Sequence, residues 1–176
     1  MAMTLITTNT SSNAASSSFT SGIDSTYKLY IFKFFDVGPA TDQVSFTWQA
    51  STDGGSSYGM TITSSGFQAI HGSGGTETLQ YNTAVDLAQS TSYQNINYLQ
   101  GNESDKSSAG TLWLFNPSNT TYVKHFYSIS SNCEHQDIVQ NIYTAGYINS
   151  TSDVDAIQFK MSSGNFDGTI KMYGVS

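Results

Sequence analysis

Short runs with an apolar residue at every second position recur along the chain, and the three-to-four spacing of a helix is nearly absent. Alternation of period two puts one face of each run in a core and the other at its back, so the chain must fold through strands. Val44 to Gln49 alternates cleanly and sets Val44, Phe46 and Trp48 on one face. Tyr27 to Phe35 alternates partly; Leu29, Ile31 and Phe35 are expected inward, Lys28 and Lys33 toward solvent. Tyr58 to Thr63 and Tyr93 to Leu99 repeat the pattern more weakly. Thr111 to Phe115 and Tyr122 to Ile129 read as a hairpin across Asn116-Pro117-Ser118-Asn119. Val139 to Ile148, Ala156 to Met161 and Thr169 to Val175 follow. Asp53-Gly54-Gly55 and Asp167-Gly168 carry hairpin-turn chemistry, because glycine takes positive φ without a steric cost. Only Thr83 to Gln89 offers a turn or two of helix. The expected fold is an all-β antiparallel sandwich with jelly-roll topology.

Composition agrees with strands whose outer faces are rich in hydroxyls. Aromatics make up 13% of the residues, with 11 Tyr and 10 Phe, while Ser, Thr, Asn and Gly fill much of the remainder. A chain of 176 residues is enough for one domain with a real core. Residues 19–176 are expected to form that domain, and residues 1–18, Ser-rich after a short apolar stretch, an N-terminal arm or docking segment. Met3, Leu5 and Ile6 are its candidate partner contacts. Residues 1–13 have no basic region and no long apolar run, so a signal peptide is not expected, and no run is long enough to span a membrane.

Charge narrows the partners. The net charge is −7, and all six basic residues are Lys. Binding nucleic acid needs clustered cations to neutralise phosphates, and an anionic membrane repels an acidic surface, so neither is an expected partner.

Chemistry-bearing clusters are sparse. Cys133-Glu134-His135-Gln136-Asp137 brings zinc-ligand residue types together, but a structural zinc site takes four ligands and usually a second paired element; His71 and His125 supply none. Loop polarity accounts for the cluster. Asp153 and Asp155 are too few for a calcium loop and are expected to cap a turn. Cys133 is the sole cysteine, so no internal disulfide forms. No nucleophile elbow with a helix behind it, no phosphate loop and no carboxylate pair with glycosidase spacing is expected. No catalytic residue, metal or cofactor is therefore expected, and the chain reads as non-enzymatic. Trp48 and Trp113 are sugar-stacking candidates, but both sit in strand patterns that favour core packing.

Four phrases occur in order: Phe19 to Tyr27 (FTSGIDSTY), Ala50 to Tyr58 (ASTDGGSSY), Leu114 to Ser118 (LFNPS) and Lys160 to Gly174 (KMSSGNFDGTIKMYG). Together they resemble a family of small virion proteins of tailed phages that infect marine bacteria and cyanobacteria, over about Thr4 to Val175. The resemblance implies a structural role as a capsid decoration protein, head fibre or fibre tip, and it brings no catalytic residues. The expectation is a capsid decoration (cement) protein on the outer shell of the virion, a homotrimer contacting the major capsid protein or another virion protein. The alternative is a receptor- or glycan-binding tip, with recognition in loops Gly66 to Thr78 and Gln100 to Ala109.

Overall fold

The computed structural model describes residues 2–176; Met1, the first residue of the expected arm, lies outside the described residues. The chain forms strands β1 (Met3–Ala14), β2 (Ser17–Phe19), β3 (Leu29–Pro39), β4 (Phe46–Ser51), β5 (Ile62–Gly72), β6 (Glu77–Tyr81) and β7 (Leu87–Ser90). It continues through β8 (Gln94–Asn95), β9 (Ser108–Phe115), β10 (Lys124–Cys133), β11 (Ile138–Ile148), β12 (Ala156–Met161) and β13 (Phe166–Val175). There is no helix among the described residues. All named pairings are antiparallel, and they make an all-β sandwich. The large sheet runs β1-β13-β3-β9-β10-β11-β5-β6 with β7 also on β5, and the small sheet runs β2-β12-β4-β8.

Between the two sheets lies a cluster of phenylalanines. Phe159 of β12 meets Phe19, Phe32, Phe34 and Phe46 at centroid distances of 5.3–6.1 Å. Val44, Phe46 and Trp48 share one buried face as the alternation predicts. The inner side of β10, β11 and β5 is closed differently, by the segment 82–100 through buried amides. Ser64 Oγ donates to Gln94 Oε1 at 2.6 Å, and Gln94 Nε2 donates to the Val85 carbonyl at 2.7 Å. Asn82 Nδ2 donates to Gln68 Oε1, Asn97 Nδ2 to Gln100 Oε1, and Gln100 Nε2 to the Val37 carbonyl, each at 2.6 Å. Buried amides cost little only when bonded in this way. The segment 93–99 thus owes its alternation to side-chain bonding and only briefly forms a strand. The stretch 83–89 makes a turn and enters β7 instead of forming a helix.

Several expectations change in place. By register Leu29, Ile31 and Phe35 fall on the outer face, where Ile31 is nonetheless buried; Tyr30, Phe32 and Phe34 fill the core, and Lys33 shares the outer face with the former set. Period two requires this, since residues 29, 31, 33 and 35 fall on one side. Asp167-Gly168 is not a hairpin turn but a bulge within β13, where the register shifts against β3. Gly168 has φ 146, and a Cβ there would lie 2.9 Å from Val37 Cα.

Residues 3–18 are built into the sandwich rather than forming a separate arm. β1 pairs along β13 from Met3↔Val175 to Ala14↔Phe166, and β2 pairs with β12. The Thr/Ser-rich run reads as flexible from composition alone, but its backbone completes the edge of the large sheet. Deleting residues 2–14 is therefore expected to lower the thermal midpoint by well over the roughly 2–4 °C that 1 kcal/mol represents at this size. An unchanged midpoint, measured by circular dichroism, would return the segment to the status of an arm.

Candidate interaction surface

Three places gather polar or aromatic side chains outside the core. The first is the 133–137 loop with its neighbour, loop 101–107. Lys106 Nζ lies 2.9 Å from Asp137 Oδ1 and 3.2 Å from Glu103 Oε1, and donates to the His135 carbonyl at 3.1 Å. The Asp137 carboxylate, with Glu103 behind it, holds the ammonium charged and raises its pKa. Buried Glu134 accepts from the Gln136 amide at 2.9 Å, and its other oxygen lies 2.5 Å from His135 Nδ1. Burial pushes the Cys133 thiol up, so it stays protonated and weakly nucleophilic. This end of the sandwich is closed by its own ion pairs. No group of three His, Cys, Asp or Glu among the described residues is arranged to hold a metal ion. His71 on β5 and His125 at the opposite end of β10 from Cys133 are exposed, outside this cluster.

The second place is the loop after β4. Asp53 accepts from Ser51 Oγ at 2.6 Å and from the Ser57 amide at 2.9 Å, and Asp155 accepts from the Gly54 amide at 3.0 Å. Asp155 thus caps a turn, as expected, while Asp153 stands exposed.

The third is the outer face of the large sheet. Register carries one apolar row across six strands, Leu5, Tyr173, Ile31, Trp113, Tyr127 and Ala145, and ends at Ser65 on a seventh. A neighbouring row joins Ile129, Tyr143, Phe67 and Tyr81. Trp113 stacks on Tyr127 at 4.3 Å, and Phe67 on Tyr143 at 4.9 Å. Trp113, expected in the core beside Trp48, is instead half-buried on this face; Trp48 alone is fully buried. Between the two stacks is a slot of about 330 Å³ walled by Phe67, Tyr127 and Tyr143 and floored by Ala145. Ten large hydrophobic side chains are exposed among the described residues, and all but Tyr122 stand on this one face. Antiparallel sheets in a sandwich ordinarily turn polar residues outward. The small sheet does so: Thr47, Gln49 and Gln158 line its back and bond to the backbone or to Ser18 and Tyr93.

Two lysines interrupt the apolar face. Lys33 and Lys171 sit directly opposite each other on β3 and β13. Neither makes an ion pair among the described residues, and Lys171 Nζ lies 5.4 Å over the Phe35 ring. Like charges paired across strands are unfavourable when nothing offsets them.

The expected contact residues divide by strand parity. Met3 and Leu5 are exposed on the outer face, whereas Ile6 turns inward and packs against the core. Of the loops expected to vary, Gly66–Gly72 belongs to β5 and Thr78 to β6, while residues 101–107 form a loop. Sequence reasoning missed the aromatic face because apolar alternation was assigned to the core alone. Lys33 among Leu29, Ile31 and Phe35 was the available sign of an outward apolar row. Comparison with family models, curated proteins and solved structures returns no match.

The Asp53 loop gives a pH test. Hydrogen bonds from Ser51 and then Ser57 depress the Asp53 carboxyl from 3.8 to about 2. A depressed carboxyl contributes stability that is full above its unfolded value and lost as pH falls through its folded one. Asp53→Asn is expected to melt below the wild type at pH 7, and the two midpoints should converge by about pH 2. A gap that stays constant over that range would show that the carboxylate charge plays no part.

Proposed function

We propose that the chain is a non-enzymatic structural protein of a phage virion, a capsid decoration (cement) protein that binds the outer shell as a trimer. The observation that carries this reading is the broad aromatic outer face of the large sheet. It is built on rigid strands, it lacks convergent catalytic side chains, and a protein that assembles with others would cover it. The resemblance in the four quoted phrases supports the setting, with the major capsid protein or another virion protein as partner.

Strand order lends further support. Strands β1, β13, β3 and β9 oppose β2, β12, β4 and β8, and the chain crosses between the sheets after β1, β2 and β3. We read these eight strands as a jelly roll, an architecture used by viral capsid proteins. Strands β10, β11, β5 and β6 extend one of its sheets.

The receptor- or glycan-binding tip is the second reading. Trp113 and Tyr127 favour it by offering ring faces to a sugar. The slot beside them is poor in polar groups: Ser128 and Thr144 bond each other on the buried side at 2.6 Å, leaving Ser65 and the phenol hydroxyls. Sugars need more donors and acceptors than that, so decoration is the stronger of the two.

Quantitative mass spectrometry of purified particles decides between them. A decoration protein is expected at a copy number comparable with the major capsid protein. A handful of copies per particle would favour the tip, and absence from particles would overturn both.

A further inference from the structure

We infer that the outer face of the large sheet is the surface on which copies of this chain pack, head to tail. The inference rests on the reading above, and names the partner of its aromatic face. Three observations carry it.

Area comes first. The nine exposed hydrophobic side chains on this face present on the order of 800 Å², about what one partner contributes to a stable protein–protein interface and more than a typical monomer leaves open. The chemistry of the slot is second. Walled by Phe67, Tyr127 and Tyr143, it fits an apolar side chain delivered by a protein better than a hydroxyl-rich ligand.

Charge selects the occupant. Lys33 and Lys171 stand side by side with no ion pair to either among the described residues, in a chain of net charge −7; the acids nearest the face, Glu77 and Asp86, lie at its other edge, on and beside β6. An acidic surface laid on this face would offset them, and another copy of the chain provides one where Asp36, Glu103, Asp105 and Asp167 line a common hollow. A two-fold contact centred on the lysines would set like charge against like. A contact between this face and a different, acidic side of the next copy avoids that, and such heterologous contacts make a ring where the rotation between copies closes. The trimer proposed above is such a ring.

Sedimentation velocity of the full chain, over a micromolar concentration series, tests this. The wild type is expected to associate toward three times its 19.0 kDa mass. Ala145→Glu puts a charge on the slot floor, and Phe67→Ser removes a wall; both positions are exposed. Each is expected to weaken association by about tenfold or more, a loss of roughly 1.4 kcal/mol. Ser73→Glu, in the exposed turn between β5 and β6, should associate like the wild type. Circular dichroism checks that the variants fold. Should neither fold, hydroxyl-radical footprinting of the wild type decides: labelling of Trp113 and Tyr127 should fall as the protein associates.

A wild type that stays monomeric overturns the inference. So do folded variants that associate normally, or labelling that ignores concentration. The two readings fail separately. An associating protein absent from particles would sink the virion role alone, and an abundant virion protein that is monomeric in solution would sink this inference alone.

Discussion

The fold depends on one ring. Phe159 of β12 touches Phe19, Phe32, Phe34 and Phe46, so a single side chain of the small sheet contacts its own neighbours and the large sheet opposite. Edge-to-face and tilted pairs of this kind add to the burial of apolar area itself. Because these rings, with Phe166 of β13 against Phe46 at 5.7 Å, pin β3 and β13 against β4 and β12, the outer sides of β3 and β13 are fixed in space. The aromatic row from Leu5 to Ser65 stays in register because its strands cannot slide.

Away from that cluster the core changes chemistry. Under β10, β11 and β5 the sheet is closed by Gln, Asn and Ser side chains bonded to one another and to backbone carbonyls. Such a network is directional, and a shift of segment 82–100 by one residue would strand several buried amides. The rigidity of the 330 Å³ slot follows from it, since the strands beneath Tyr127, Tyr143 and Phe67 are held from behind by these bonds. Lys124 works in the same manner at the sheet's end. It is fully buried and donates to the carbonyls of Tyr122 and Ser150, each at 3.0 Å, and burial lowers its pKa.

Much of this was legible in the sequence. Ala156–Met161 is a strand with the expected bounds, and the hairpin across residues 116–119 joins β9 to β10. The face shared by Val44, Phe46 and Trp48 followed from alternation. What was not legible has physical causes. β1 and β2 carry almost no apolar alternation, because as edge strands they are held by backbone pairing, β1 with β13 and β2 with β12. β6 was hidden likewise, with all five of its residues exposed. The parity of β3 failed because both of its faces are apolar, and period alone cannot say which of two apolar faces is covered. The site was missed for the same reason, since Trp113 and Tyr127 look like core residues until the register places them outside.

An icosahedral reconstruction of purified particles tests the central claim most directly, because it shows location and packing together. The account predicts ordered copies on the outer shell, in threes, with Trp113, Tyr127 and Phe67 of each buried against the next copy. Copies on the shell with that face open to solvent, or no copies on the shell at all, would contradict it.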